Sequence, residues 1–262
     1  MNFHQINNKN LILTGGAGLL GSEFTIFLAK NGFDVFILDN NSNKISLLKK
    51  KLKSLKITNV YIFKIDITDY IKLKKIYQKI VKKYGDIKVL INNAAVDSMP
   101  KKNKKKKINF ERKKIIHEFD ISICGSLNCI QLLLETNKKL NKCNIVNIGS
   151  DLSVISPNQN LYDHLNFIKP ISYSIIKHGI VGMTKYLSTL LAEKKIRVNC
   201  LSPASIENNQ NKAFKNKLKK LIPLKRLSKK SEFNKLLFFL ISEDSSYITG
   251  QNIVADGGRS II

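Results

Sequence analysis

Cysteine is scarce in this 262-residue chain, and the four present, Cys124, Cys129, Cys143 and Cys200, show no C-x-x-C spacing. Each sits in an apolar segment, so they read as buried thiols in a reducing cytoplasm, with neither a disulfide frame nor a metal site. Long apolar runs are also absent. No stretch approaches the ~20 residues that span a bilayer, and Met1–Lys9 holds no apolar signal core. A membrane protein and a secreted disulfide scaffold are thereby set aside, and a cytoplasmic location is expected.

Acidic residues are few: 19 Asp and Glu stand against 45 Lys and Arg, for a formal net charge of +26. A nucleic-acid binder uses such a field. Against that reading, only four of the basic residues are Arg, the lysines are spread along every predicted helix, and no aromatic residues interleave with them to stack on bases. Abundant Lys, Asn and Ile together fit a low-GC coding bias with solvated helix faces. A basic field that draws in an anionic substrate is the other reading.

What is present is a globular composition, 43% hydrophobic, with no internal repeat and no linker. A single domain over residues 1–262 is expected. Leu11-Ile12-Leu13 reads as a strand that stops at Thr14-Gly15-Gly16-Ala17-Gly18-Leu19-Leu20-Gly21, and a periodic segment follows to Lys30. Strand, glycine turn and helix aim helix N-terminal amides at a pyrophosphate. A second strand, 34–38, ends at Asp39. A carboxylate there can bind both ribose hydroxyls and repel a 2′-phosphate, favouring NAD over NADP; a helix cap is the alternative role.

Further strands are predicted at 60–63, 89–91, 144–148, 196–201 and 251–254, with Ser202-Pro203 stopping the sixth. Helices are predicted at 42–56, up to Tyr84, 111–136, through Tyr173 to about Glu193, near 213–221 and at 231–241. This alternation predicts an α/β fold: a doubly wound parallel sheet of about seven strands with helices on both faces. Ligands then sit at the strand C-terminal ends. The 111–136 helix carries Ile115, Ile116, Phe119, Ile123, Leu127, Ile130 and Leu134 as one stripe. Gly125 inside it points to close packing against a neighbour. Segments at about 97–108, with its lysine block, 151–170 and 205–230 read as mobile loops.

Tyr173 and Lys177 are four apart, so on a helix their side chains lie on one face. A phenol titrates near ~10. An adjacent ammonium favours the phenolate and turns Tyr into a usable proton shuttle. Standing alone, the pair reads first as a helix that happens to carry Tyr and Lys.

TGGAGLLG (14–21), Asp66, NNAA (92–95), Ser150, YSIIK (173–177), SP (202–203) and ITGQNIVADGG (248–258) occur in that order across nearly the whole chain. In order and spacing they resemble the short-chain dehydrogenase/reductase family, in the subgroup that ends soon after an Asp-Gly-Gly. The resemblance implies that Gly15, Ala17, Gly18, Leu19, Leu20 and Gly21 wrap the cofactor phosphates. It implies that Asp39 with Asn40 holds the adenosine ribose, Asp66 and Ile67 the adenine, and that Asn93, Ala94, Ala95 and Ile148 line the nucleotide cleft. Pro203, Ala204 and Ile206 would flank the nicotinamide. Ser150 would bond the substrate oxygen, Tyr173 transfer the proton, and Lys177 bind the nicotinamide ribose and assist Tyr173.

Departures accompany the match. The turn is spaced G-x-x-G-x-x-G, Ala204 stands for the usual Gly, and Ser122 stands where the family usually has a catalytic Asn. A hydroxyl is shorter than an amide, so a water relay to Lys177 would be altered. The stretches TGGAGLLGSEF, ISYSIIKHGIVGMTKYLS and IRVNCLSPASIENNQ most resemble bacterial members associated with flagellin glycosylation and nonulosonic-acid sugars. The 23-position gap from Ser150 to Tyr173 fits that group, and Tyr162, His164 and Asn166 within it are candidate substrate contacts. The expected activity is therefore NAD(H)-dependent interconversion of a secondary alcohol and a ketone on a sugar derivative, for which Lys-rich walls suit an anionic form. A homodimer or homotetramer is implied. The competing readings are a nucleotide-binding regulatory or scaffold protein that has lost turnover, and a basic nucleic-acid binder.

Overall fold

The computed structural model of the chain describes residues 9–96, 108, 110–139 and 142–262. The lysine block at 101–107 and the first eight residues lie outside them. Seven strands form one parallel sheet: β1 (Asn10–Thr14), β2 (Asp34–Asp39), β3 (Val60–Lys64), β4 (Val89–Asn92), β5 (Asn144–Ile148), β6 (Arg197–Pro203) and β7 (Asn252–Ala255). Their order is β3-β2-β1-β4-β5-β6-β7, so the winding reverses between β1 and β4. In such a sheet that reversal opens a crevice at the carboxyl ends of the strands.

The central strands are apolar at nearly every position, and their period-two alternation feeds two separate cores. Leu11, Leu13, Val35, Ile37, Val89 and Ile91 pack to one face, while Ile12, Phe36, Leu38 and Leu90 pack to the other. Each such fully buried side chain contributes about 1.5–3 kcal/mol relative to exposure. The first face is covered by α1 (Gly21–Lys30), α2 (Ser42–Ser54) and α8 (Asn234–Ile241), through residues such as Phe24, Leu48 and Leu237. The second is covered by α3 (Tyr70–Tyr84), α5 (Gly125–Thr136) and α6 (Ile171–Leu190), through Tyr77, Leu133 and Leu187. Asn41 and Asp69 cap α2 and α3 by accepting from the amides of Lys44 and Lys72.

Three sequence expectations change. The predicted 111–136 helix is α4 (Arg112–Phe119), a π turn (Asp120–Cys124) and α5 in continuous succession. The π turn shifts the side-chain register, so the predicted stripe splits: Ile123 and Ile130 are buried while Ile116, Phe119 and Leu127 face out. The sixth strand does not stop at Ser202-Pro203 but runs through them, because Pro203 pairs with Ala255 at the strand end. Cys124 is only partly buried, unlike the other three thiols. Gly125 meets its expectation: a Cβ there would lie 2.6 Å from Ile67 Cγ1.

The 151–170 and 205–230 segments carry short helical turns at Asp151–Ser153 and Gln159–Leu165, and α7 (Lys212–Lys220). They share a small hydrophobic cluster of Leu161, Leu218, Ile222 and Leu227. Among the described residues no helix is long and apolar enough to cross a membrane.

Candidate active site

The strand ends fix the site. Parallel registers pair Thr14 with Leu38, Leu13 with Ile91, Asn92 with Asn147 and Ile148 with Leu201, which brings the C-terminal ends of β1, β2, β4, β5 and β6 to one edge. The glycine turn after β1 is held there from two sides. Asn93 at the end of β4 donates its amide to the carbonyls of Thr14 and Gly15, both at 3.0 Å. Thr14 Oγ1 in turn accepts from the amides of Asn93 and Ala94 at 2.9 Å.

Gly15 sits at φ +63°, and a Cβ on Gly21 would lie 2.1 Å from the Gly15 carbonyl oxygen. The crossing of turn and helix therefore requires hydrogen at position 21. Leu20, which precedes α1, supplies no side-chain cap, and the Ser22 amide donates to the Gly18 carbonyl at 2.9 Å; the positive end of the helix dipole at this turn favours an anion. Leu20 is buried and Leu19 exposed.

Asp39 is buried at the end of β2. Its Oδ2 accepts from the Ala17 amide at 3.0 Å and its Oδ1 from the Asn41 amide at 2.9 Å, so the carboxylate is oriented by the glycine turn itself. Asn40 beside it is exposed. Asp66 accepts from the amide and hydroxyl of Thr68 at 3.0 and 2.8 Å, and Ile67 is buried against Gly125. Ala94 and Ala95 continue from β4, with Ala95 exposed. A phosphate cradle without side chains, an uncapped helix N-terminus and an oriented carboxylate one strand away suit a dinucleotide.

Lys177 Nζ donates to the Ile148 carbonyl at 2.9 Å and is buried. It also lies 5.6 Å from the Tyr173 ring centroid. Helix α6 is fixed against the sheet by a buried polar chain: Asn92 donates to Asn147 and Asn147 to Thr184, both at 2.9 Å. Ser150 follows β5 directly. Its hydroxyl donates to Asp151 Oδ1 at 2.8 Å, and Asp151 Oδ2 pairs with Arg259 at 2.5 Å.

Ser122 is buried in the π turn, which packs against α6, and its carbonyl accepts from Ser126 Oγ at 2.8 Å. One turn earlier, buried Glu118 accepts from Ser172, the neighbour of Tyr173. Pro203 and Ala204 are buried at the β6 end. Ser205 then turns through φ +51° before Ile206, which bridges to Ser228. Tyr162 packs on Phe167 and Phe214, at ring centroid separations of 5.5 and 5.3 Å, and Asn166 adopts a left-handed conformation at the end of its turn.

Sequence reasoning did not find Asp151, Arg259, Glu118 or Lys169. Lys169 Nζ lies 3.9 Å from the Tyr173 ring centroid. Lys169 is close to the tyrosine in sequence, and a lysine four before the tyrosine was a usable signal. Asp151 and Arg259 meet across 108 positions, which no local pattern announces.

A seven-stranded, doubly wound parallel sheet with a glycine cradle at its winding reversal defines a Rossmann-type nucleotide fold. The chain belongs to the short-chain dehydrogenase/reductase family: the family model described as enoyl-(acyl carrier protein) reductase matches residues 20–260. Curated relatives include 3-oxoacyl-(acyl-carrier-protein) reductase FabG of Thermotoga maritima, 29% identical over 98% of this chain and 100% of that one. Another is the post-translational flagellin modification protein A of Campylobacter coli, 27% identical over 97% of this chain and 98% of that one. Among solved structures, a short-chain dehydrogenase of Leptospira borgpetersenii with bound NAD+ is 27% identical with a TM-score of 0.83, covering 97% and 93% of the two chains. A gluconate 5-dehydrogenase of Burkholderia cenocepacia in complex with NADP and tartrate shares the fold, with a TM-score of 0.81 at 20% identity over 98% and 97%.

Proposed function

We propose that this oxidoreductase interconverts a secondary alcohol and a ketone with NAD(H), through Ser150, Tyr173 and Lys177. The observation that carries the reading is the placement of Lys177. Its ammonium is anchored on the Ile148 carbonyl at the end of β5 and lies on the same helix as Tyr173, 5.6 Å from the ring.

When bound, the nicotinamide supplies or accepts the hydride. The chain's residues manage the proton and the oxygen. In reduction, the Tyr173 hydroxyl gives its proton to the oxygen that gains charge as the carbon is reduced; in oxidation the phenolate takes it back. The Lys177 ammonium favours the phenolate, and its bond to the Ile148 carbonyl fixes it in place. The Ser150 hydroxyl donates to the substrate oxygen after turning from Asp151 Oδ1, which accepts it at 2.8 Å. Asp39 favours NAD, since its buried carboxylate matches two ribose hydroxyls and repels a phosphate. The Leptospira relative, with NAD+ bound, supports this.

For substrate we favour a sugar derivative bearing a secondary alcohol, supported by the flagellin modification relative. A second reading, a 3-oxoacyl thioester, is favoured by the similarity to FabG proteins. Sugar nucleotides, sugar phosphates and polyols, assayed beside a 3-oxoacyl thioester for NADH oxidation and NAD+ reduction, separate the two. NADH binding without turnover on either panel would favour a regulatory nucleotide-binding role instead. We further propose self-association through α4–α5 and α6, where Ile116, Phe119, Leu127, Ile175, Tyr186 and Leu190 are exposed. Light scattering showing a stable monomer would refute it.

A further inference from the structure

Lys169 is buried, with 8% of its surface exposed, although it lies on the connection between the 159–165 turn and α6. A buried lysine costs desolvation and persists only where its charge is placed against a partner. Its Nζ stands 3.9 Å from the centroid of the Tyr173 ring, nearer than the Lys177 ammonium at 5.6 Å.

The position is built. The Gln159 side-chain amide holds both backbone groups of Lys169: Oε1 accepts from its N–H at 3.0 Å, and Nε2 donates to its carbonyl at 3.2 Å. Pro170 follows at the N-cap of α6 and fixes the entry angle. The lysine is thus tied to the helix whose first turn carries Tyr173.

We propose that Lys169 is a second electrostatic partner of Tyr173, a positioning residue whose ammonium on the ring face stabilises the phenolate alongside Lys177. A cation over an aromatic face is attracted to the neutral ring, and more strongly to a ring bearing delocalised negative charge. Asp163, on the 159–165 turn that leads to Lys169, is the carboxylate nearest to it in sequence. On the elements packed against α6, Glu118 accepts from Ser172 and pairs with Lys114, and Asp151 pairs with Arg259. Asp120 interacts with the Cys124 thiol, which burial and that carboxylate hold above its ordinary range; the Cys200 thiol on β6 is likewise raised by burial. Further charged or titratable groups on these elements, among the described residues, are Lys177, His178 and Lys185 on α6, Arg112, Lys113 and His117 on α4, Arg197 on β6, and Glu193 and Lys194 beyond the far end of α6.

The inference rests on Tyr173 being the proton-transfer residue, but its test needs no substrate, so failure of the activity and failure of this proposal are read separately. The near-ultraviolet tyrosinate absorbance is titrated in the full chain and in the same chain with Tyr173→Phe, and the difference isolates Tyr173 among eight tyrosines. Tyr61 and Tyr77, raised by burial, and Tyr70, raised by its bond to Glu135, ionise above the ordinary phenol range and stay clear of the step. Lys169→Met, which keeps the packing and removes the charge, should move the Tyr173 step upward by roughly 0.5–1.5 pH units. Lys169→Arg should hold it near the parental position, a rescue that packing alone would not produce. An unchanged step in Lys169→Met overturns the proposal. Should that variant not fold, Gln159→Ala, which releases the Lys169 backbone, is titrated in its place, with an unmoved step again overturning it.

Discussion

Arg259 Nη1 lies 2.5 Å from Asp151 Oδ2, with side chains only 9% and 5% exposed, and Asp151 Oδ1 accepts the Ser150 hydroxyl. A turn near the end of the sequence therefore reaches the serine that follows β5. Removing one partner of a buried pair strands the other charge, at a cost of about 3–5 kcal/mol. Arg259→Met should lose that amount in urea denaturation, and adding Asp151→Asn should recover part of it. A loss below about 1 kcal/mol would place the pair among solvated surface bridges.

Gly21→Ala tests the phosphate cradle. The added methyl meets the Gly15 carbonyl oxygen at 2.1 Å, and backbone cannot swing aside as a side chain can. Overpacking of this kind costs about 1–3 kcal/mol. NADH affinity, read by nucleotide fluorescence, should fall by roughly tenfold or more. Parental affinity would show that this turn does not hold the phosphates.

Asp39→Ala tests cofactor choice. The carboxylate is oriented by the Ala17 and Asn41 amides. Its removal should weaken NADH by about tenfold, on the order of 1.4 kcal/mol, while leaving NADPH unchanged or tighter. Parallel titrations with both nucleotides check this, and an unaltered ratio would remove Asp39 from the selection.

The sheet was legible because buried parallel strands read as short apolar runs bounded by Gly, Asn and Pro, and all seven were found. The glycine cradle, Asp39, Asn93 and the Tyr173–Lys177 spacing were legible because they are local. Two kinds of feature were not. The π turn at Asp120–Cys124 leaves no compositional mark, so its shift of Phe119 and Leu127 to the surface could not be read. Long-range polar pairs such as Asp151–Arg259 and Glu118–Ser172 follow from tertiary closure, and each partner alone resembles an ordinary surface residue.

Glu232 makes an acid-pH prediction. Two bonds from Arg226 and then the Lys229 amide hold its carboxyl at about 2, below the ordinary 4.5. A depressed carboxyl stabilises the fold above its unfolded value, and this is lost as pH falls from 4.5 towards 2. The pair is largely exposed, so the effect is at most about 1 kcal/mol. Glu232→Gln should be less stable than the parent above that window and should converge with it below. A constant difference across the window would contradict the assignment.

The most direct measurement is the turnover of Tyr173→Phe beside its NADH dissociation constant, with a substrate that the parental chain reduces. Loss of general acid–base catalysis costs about 10²–10⁴ in rate. The account predicts kcat lower by at least about a hundredfold, with NADH bound as tightly as by the parent. A variant retaining near-parental turnover would contradict it.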